Sequence, residues 1–162
     1  ATDVRKGLIS PQTRSGQLGT AFYCVKYPPT NGVAYDDVKI LRLSECYLIA
    51  AEAYYNQGNT VSANTYLNLL AQKRDPLFTY ASTGAQALED ILTERRKEFL
   101  FEGYRFWDFY RLKRSFVKPQ AQDATNTIIQ SITVTPSTLN IIFPIPQDEI
   151  LVNPNITQNT GY

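Results

Sequence analysis

The chain of 162 residues contains no histidine. This absence excludes serine–histidine–aspartate and cysteine–histidine catalysis, histidine-ligated metal sites and imidazole acid–base chemistry from the chain itself. Chemistry carried by carboxylates, lysine or tyrosine remains open. Any enzymatic site in this chain would therefore have to be built from those side chains.

Cysteine and methionine are scarce as well. The two cysteines, Cys24 and Cys46, are too few for a four-cysteine zinc site, and they permit one disulfide without indicating whether it forms. Methionine is missing even at position 1, so we expect a processed product or a piece of a longer polypeptide. No apolar run approaches the ~20 residues that a membrane-spanning helix needs.

Neither sign of charge dominates the chain. Lysine and arginine together number 16 and aspartate and glutamate 15, which gives a net charge of +1. This balance provides no general attraction to nucleic acid or to an anionic membrane surface, so we expect no nucleic-acid partner. The hydrophobic content of 43% and the chain length are typical of one globular domain.

Apolar residues recur at helical spacing in four segments, and three further segments have strand composition. Gly58 suits a left-handed C-cap at the end of the first helix, Thr60 is the predicted N-cap of the second, and Asp75-Pro76 stops it. We expect helices over residues 38–57, 61–73, 85–102 and 104–114. We expect strands over residues 22–27, 128–135 and 139–145.

These elements predict one mainly α domain with minor β structure. The polar residues 1–20 predict an extended arm without a core face. The parts are an arm with a short strand (1–37), a first helical hairpin (38–76), a second helical hairpin (85–115), a small β-hairpin (128–145) and a long irregular tail (146–162).

The two predicted helical hairpins are related by an offset of 45 residues. In both copies an aromatic residue precedes a glycine by four positions and a leucine follows that glycine by nine. The first copy resembles a tetratricopeptide repeat. Two repeats are fewer than the ~3 that such arrays need, so we expect the β segments or further chain to cover the stack. The offset aligns Leu43 with Leu88, Tyr54 with Phe99, Gly58 with Gly103 and Leu67 with Leu112.

Charge is densest over residues 94–114. Glu94, Glu98 and Glu102 are spaced by four, so they share one helix face and repel one another. Arg105 and Arg111 on the next helix are the expected cationic partners, and Asp108 lies three residues from each. We interpret this cluster as a structural ion-pair network, with anion binding as one alternative.

A carboxylate pair that hydrolyses glycosides is another alternative for this cluster. Paired arginines would keep the carboxylates ionised, which is unsuitable for a general acid. Asp36 and Asp37 are adjacent acids without a third ligand at suitable spacing, so they are read as N-terminal helix acids. The residues therefore predict no catalytic residue, no metal and no cofactor.

Three stretches together resemble the C-terminal part of the SusD/RagB family. Most of the chain, over residues ~38–162, is covered by this resemblance. The stretches are residues 39–53 (KILRLSECYLIAAEA), 94–111 (ERRKEFLFEGYRFWDFYR) and 142–162 (IFPIPQDEILVNPNITQNTGY).

The resemblance implies a nutrient-binding lipoprotein on the outer-membrane surface of a Gram-negative bacterium. The parent protein would be lipid-anchored, with its N-terminal part outside this sequence. It would bind an oligosaccharide or peptide and deliver it to a SusC-type TonB-dependent transporter, without catalysis. The family-like residues are interpreted as architectural, and they are Arg42, Glu52, Glu98, Glu102, Gly103, Arg105, Asp108 and Arg111.

Ligand contacts are predicted only weakly, near turns outside the helical core. Tyr23, Tyr27, Asn31 and Tyr35 are the candidates, because sugar rings stack on aromatic faces flanked by amide hydrogen bonds. A tetratricopeptide-type adaptor that binds proteins and no small ligand is the alternative function.

Overall fold

The computed structural model describes residues 2–13, 21–27, 40–122, 128–135 and 142–162. The chain forms two compact units, Ala1–Arg105 and Phe106–Tyr162. The α-helices in the described residues are α1 (Leu43–Asn56), α2 (Thr60–Arg74), α3 (Gly84–Glu98), α4 (Tyr104–Arg111) and α5 (Gln147–Val152). The strands there are β1 (Ile9–Gln12), β2 (Ala21–Cys24), β3 (Phe116–Lys118), β4 (Ala121–Gln122), β5 (Ile128–Ile129) and β6 (Ile132–Val134).

The core of the first unit lies between α1, α2 and α3. Leu48 and Ala51 of α1 pack with Leu67 and Leu70 of α2, and Ile91 of α3 completes the cluster. All of these side chains are almost fully buried. The small alanine allows the two helices of the hairpin to approach closely. The predicted mainly α fold with tetratricopeptide-like packing is confirmed.

The turn between α1 and α2 depends on Gly58, whose φ of +77° is left-handed. The Asn59 amide donates to the Tyr54 carbonyl at 2.9 Å, which closes the end of α1. The Asn59 side chain then accepts from the Ser62 amide at 3.0 Å. Asn59 is therefore the N-cap of α2, one residue before the Thr60 that the sequence suggested.

The loop between α2 and α3 is held on α2 by asparagine side chains. Asn68 donates to the Tyr80 carbonyl and accepts from the Tyr80 amide, both at 2.8 Å. Asn64 donates to the Ser82 carbonyl at 2.9 Å. These bonds satisfy backbone groups that no regular element pairs. They also seat the Tyr80 ring in the core.

The end of α3 repeats the geometry of the first hairpin turn. Gly103 has φ +81°, close to the value at Gly58, as the 45-residue offset predicts. Phe99 stacks on Tyr104 with ring centroids 4.5 Å apart. The helix ends at Glu98 rather than at residue 102, because Phe101 also adopts a left-handed φ of +64°.

The N-terminal segment is more ordered than the expected polar arm. Residues Val4–Leu8 form a 3-10 helix, which begins with the Asp3 carboxylate accepting from the Arg5 amide at 2.9 Å. Strands β1 and β2 then pair antiparallel, with Ile9 opposite Cys24. For the described residues 2–13, the prediction of an extended arm without a core face is wrong, because Val4–Leu8 form a helix and Arg5 is buried.

In the second unit the strands pair differently from the predicted hairpin over 128–145. Strand β6 pairs antiparallel with β3, and β5 pairs with β4, so both partners precede rather than follow them. Residues 142–145 are not a strand, and 136–141 lie outside the described residues. Ala121 and Gln122, which lie outside every predicted strand, form β4 and pair with β5 through their main chains.

The tail contains one element that hydropathy did not predict, the short helix α5. Gln158 bonds both backbone groups of Ile145, accepting from its amide at 2.8 Å and donating to its carbonyl at 3.0 Å. Asn159 donates to the Phe143 carbonyl at 2.7 Å. These amide side chains fold the last residues back onto 142–145.

Candidate functional site

The three glutamates spaced by four lie at the end of α3 and just beyond it. Each is buried or nearly so, and each is matched by cations. We call Glu94, Glu98 and Glu102 the glutamate ladder. Apart from Lys97, its cations come from segments distant in sequence, so the ladder ties the N-terminal segment, α1, α2 and α3 together.

Glu94 forms the innermost step of the ladder and is fully buried. Its Oε1 lies 2.6 Å from Nη1 of Arg5. Its Oε2 accepts from the Tyr80 hydroxyl at 2.9 Å and lies 3.5 Å from Nζ of Lys97. One carboxylate thus faces two cations and one hydroxyl, which compensates for its removal from water.

Glu98 is bound by two arginines. Arg74 donates from Nη2 and Nε at 2.7 and 3.0 Å, which is the bidentate geometry that guanidinium favours. Arg5 donates from Nη1 at 3.2 Å. The opposite edge of Arg5 holds Asp3 through Nε at 3.0 Å and Nη2 at 2.8 Å. Arg5 therefore bridges three carboxylates.

Glu102 forms the outer step. Arg42, directly before α1, donates from Nη2 to both carboxylate oxygens at 2.7 Å. Lys26 forms an ion pair with the same carboxylate and also donates to the carbonyls of Glu98 at 3.0 Å and Leu100 at 3.3 Å. The ammonium thereby satisfies carbonyls at the C-terminus of α3.

The pKa shifts of Glu98, Arg5 and Asp3 all favour the charged forms of these side chains. Burial alone would raise the pKa of Glu98, but the hydrogen bonds and charge of Arg74, with the charge of Arg5, lower that pKa below the usual value of 4.5. Burial of Arg5 is likewise outweighed by its bonds to Asp3 and Glu94, so its pKa is raised. The hydrogen bond from Arg5 lowers the pKa of Asp3. Burial, then the Glu94 charge, raises the pKa of Tyr80.

These shifts bear on the hydrolase alternative. A general acid needs a carboxyl that is protonated near neutral pH. Glu98 has a lowered pKa and two arginine partners, so it remains ionised there. The Tyr80 phenol remains protonated, because its pKa is raised. This geometry fits a rigid scaffold better than proton transfer.

A cavity of about 370 Å³ opens beside the ladder, a size within the range of small-molecule pockets. Ile9, Ala71, Phe78 and Leu100 supply its apolar surface. The Phe78 ring is 41% exposed, and Nζ of Lys97 lies 5.3 Å from its centroid. Its charged lining consists of Asp3, Arg5, Lys6, Asp75, Glu94 and Lys97.

Two of the four predicted ligand contacts lie in the part of the chain that the structure describes. Tyr23 is half-buried in β2, and Tyr27 is 38% exposed directly after Lys26. Asn31 and Tyr35 lie outside the described residues, as do Asp36 and Asp37. The structure does not bring Tyr23 or Tyr27 to the cavity lining beside Phe78.

The predicted network residues are placed as follows. Glu98, Glu102 and Arg42 belong to the ladder. Asp108 pairs with Arg111 within α4, Oδ1 to Nη2 at 2.8 Å, and Arg105 is exposed at the start of α4. The expectation that the following helix supplies the cations missed Arg5, Lys26 and Arg74, which are distant in sequence, and Lys97, which lies one turn from Glu94 on the same helix.

Sequence carried one signal for the missing cations. Three carboxylates on one helix face need compensating charge, so the sequence predicts cationic partners. The cations that bind Glu98 and Glu102 lie up to 93 residues away along the chain. Pattern reasoning reaches only neighbours along a helix.

Among the described residues, no helix combines the length and apolar character needed to cross a membrane. Within the same residues, no group of three potential metal ligands comes together. Cys24 and Cys46 are free thiols.

The tetratricopeptide-like hairpin and the ladder together form a helical framework. The model of the SusD family matches residues 19–162, so the chain belongs to that family. It is 29% identical to the SusD-like protein P38 of Formosa agariphila, over 97% of this chain and 31% of that protein. It is 30% identical to the starch-binding protein SusD of Bacteroides thetaiotaomicron, over 84% of this chain and 22% of that protein.

Solved structures agree with this assignment. A putative sugar-binding protein of Bacteroides vulgatus superposes with a TM-score of 0.78 and 30% identity, over 99% of this chain and 36% of that chain. A SusD-like protein of Bacteroides fragilis gives a TM-score of 0.55 with 29% identity, over 76% of this chain and 25% of that chain. The chain thus spans about a third of these relatives or less.

Proposed function

We propose that this chain is part of a nutrient-binding protein that captures glycans at the outer-membrane surface and passes them to a SusC-type TonB-dependent transporter. The parent protein would be lipid-anchored and would bind its ligand at equilibrium without transforming it. The observation that carries the proposal is the match to the SusD family over residues 19–162. The 30% identity to a starch-binding protein favours a saccharide over other nutrients.

The geometry supports a binding role in two ways. The glutamate ladder connects four segments through paired charges, which favours a scaffold that holds its shape. The cavity combines the Phe78 ring with charged hydrogen-bonding groups, a combination suited to a sugar ring that has an apolar face and hydroxyl edges. We propose Phe78 and Lys97 as ligand contacts within this chain.

Tyr27 is a second proposed contact. The preceding Lys26 is anchored to Glu102 and to two carbonyls near the end of α3. This anchoring fixes the backbone that carries the exposed Tyr27 ring. A ring held in place stacks on a sugar with less loss of conformational entropy than a freely moving one.

Affinity electrophoresis of the full-length protein tests the proposal. Native gels containing starch, other neutral polysaccharides or acidic polysaccharides are compared with a ligand-free gel. We expect at least one polysaccharide to retard the protein, and Phe78→Ala to weaken that retardation. Leu77→Ala is the matched control, because this neighbour is 84% exposed and does not line the cavity. Equal loss in both variants would contradict a role for the Phe78 ring.

The adaptor alternative predicts a different result in the same experiments. A protein-binding scaffold would be retained by the transporter but would bind no glycan and no peptide. Copurification with a tagged SusC-type transporter, measured beside the gels, separates the two functions. Retention by the transporter with no glycan or peptide binding would replace our proposal with the adaptor.

A further inference from the structure

The cavity beside the glutamate ladder is bounded by two separate parts of the chain. One side is formed by α2, α3 and the residues next to them, including Phe78 and Lys97. The other side is formed by the N-terminal segment, and we call residues 2–9 the N-terminal wall. Neither side encloses the space alone, so the cavity has its observed shape only while the N-terminal wall is docked. The wall residues that line the cavity are Asp3, Arg5, Lys6 and Ile9.

Side-chain contacts hold the N-terminal wall against the helices. The Thr2 hydroxyl donates to Oδ1 of Asp75, the C-cap of α2. Nη1 of Arg5 lies 2.6 Å from Oε1 of Glu94 and donates to Oε2 of Glu98 at 3.2 Å. Two of these anchors, Asp75 and Glu94, also line the cavity. The contacts that dock the wall therefore lie directly beside the space that a ligand would fill.

The residues of the N-terminal wall differ in what they offer to a ligand. Arg5 is buried, and its guanidinium is engaged with three carboxylates, so it positions the wall rather than binding a ligand. Ile9 is 38% exposed and lines the cavity together with Phe78. Lys6 is exposed as well and carries a hydrogen-bond donor. Ile9 thus provides apolar surface, and Lys6 a polar group, for a sugar ring that stacks on Phe78.

We propose that the N-terminal wall is part of the ligand site, that Ile9 is a further ligand contact, and that ligand binding is linked to the docking of residues 2–9. This inference rests on the proposed function of the cavity as a saccharide site. A ligand that contacts both sides binds only the docked state. It therefore stabilises that state by mass action, and the wall can open only after the ligand has left.

Amide hydrogen exchange of the full-length protein measures this linkage. Exchange within residues 4–9 is compared without polysaccharide and with starch, or with the polysaccharide of the gel series that retards the protein most. At about ten times the dissociation constant taken from the gels, we expect exchange to slow about tenfold, because local opening then requires the ligand to leave. Residues 60–66 at the start of α2 are the internal control, since none of them lines the cavity.

Ile9→Ala tests the contact itself. Alanine lacks apolar surface that a ligand beside Phe78 would cover, so we expect the dissociation constant from the gels to rise about fivefold. Val4→Ala is the matched control, because Val4 belongs to the same wall, is 64% exposed and does not line the cavity. Thermal midpoints of both variants are measured beside the gels. If Ile9→Ala does not fold, the exchange measurement decides.

A failure of the N-terminal wall can be distinguished from a failure of the proposed function. Unchanged exchange in residues 4–9 with a bound polysaccharide would overturn the linkage, and equal affinities of Ile9→Ala and Val4→Ala would overturn the contact. If Phe78→Ala still weakens binding in either case, the cavity remains the saccharide site and only the role of the wall is refuted. If no polysaccharide retards the unchanged protein, the proposed function fails and the role of the wall fails with it.

Discussion

At the scale of single residues, Arg5 connects the N-terminal segment to the glutamate ladder. It is buried and bridges Asp3, Glu94 and Glu98, so its removal affects three carboxylates at once. A buried ion pair is weak evidence of net stabilisation, but breaking one is costly because the partners are left uncompensated. The function of Arg5 is therefore to make the burial of the ladder possible.

Arg5→Met should destabilise the chain by about 3–5 kcal/mol, because Glu94 would lose its nearest cation inside the fold. The measurement is the free energy of unfolding in urea. Lys6→Met is the matched control, since Lys6 is exposed and next in sequence, and its effect should stay within about 0.5 kcal/mol. A similar loss in both variants would show that the ladder does not depend on Arg5.

Acid should weaken the fold through Glu98 and Asp3. Both carboxyls have lowered pKa values in the folded state, so the unfolded chain binds more protons as pH falls from the unfolded values towards the folded ones. Stability is thus fully present well above pH 4.5 and is lost as pH falls through the folded pKa values. Thermal midpoints measured between pH 7 and pH 3 should decline in this acidic window.

Glu98→Gln tests the assignment of that acid response. The variant should be less stable at neutral pH, because Arg74 loses its charged partner. Its midpoint should also fall less steeply below pH 4.5, because one of the titrating groups is gone. An unchanged slope would assign the acid sensitivity to other carboxyls.

At the scale of elements, glycine hinges recur at the 45-residue offset. Gly58 and Gly103 have nearly equal left-handed φ values, and a Cβ at either would meet no heavy atom of the described chain within 4 Å. The two glycines are therefore required for their backbone conformation and not for space.

Gly58→Ala and Gly103→Ala should each cost about 1–2 kcal/mol, since an alanine in the left-handed region is strained. Gly7→Ala is the control, because its Cβ also meets open space but no left-handed φ is involved. Urea denaturation distinguishes them. An equal effect at all three positions would mean that backbone strain is not the cause.

Sequence predicted the helices better than the strands. Apolar periodicity located α1 to α4 to within about five residues. Helices α1, α2 and α3 each bury one face, whereas α4 has no buried residue. The sequence did not predict that β3 pairs with β6 or that β4 pairs with β5. Strands of two or three residues show too little alternation of apolar and polar residues to define a partner. Helix α5 was missed because its six residues span fewer than two turns.

The candidate site was predicted only in part for a related reason. The repulsion of the three glutamates is local information, so the need for cations was visible in the sequence. The identity of those cations depends on how the N-terminal segment docks, and the polar composition of that segment gave no hint that Arg5 is buried. The cavity beside Phe78 arises from the same docking.

At the scale of the whole molecule, charge balance decides which large partners are possible. The net charge is +1, and many basic side chains are engaged with carboxylates. Nonspecific binding to nucleic acid depends on excess cations that displace counterions from phosphates.

We therefore expect no change in the fluorescence anisotropy of a labelled single-stranded DNA when the protein is added at ~150 mM salt. A rise in anisotropy that weakens steeply with added salt would contradict this expectation.

The long reach of the ladder has a consequence for how the protein is made. Arg5 and Lys26 leave the ribosome well before Glu98 and Glu102, which follow 93 and 76 residues later. Arg5 and Lys26, which flank the β1–β2 pair, therefore remain hydrated until α3 has been synthesised. Closing such distant loops is slow, so the N-terminal segment should become protected from protease late in synthesis, together with the end of α3.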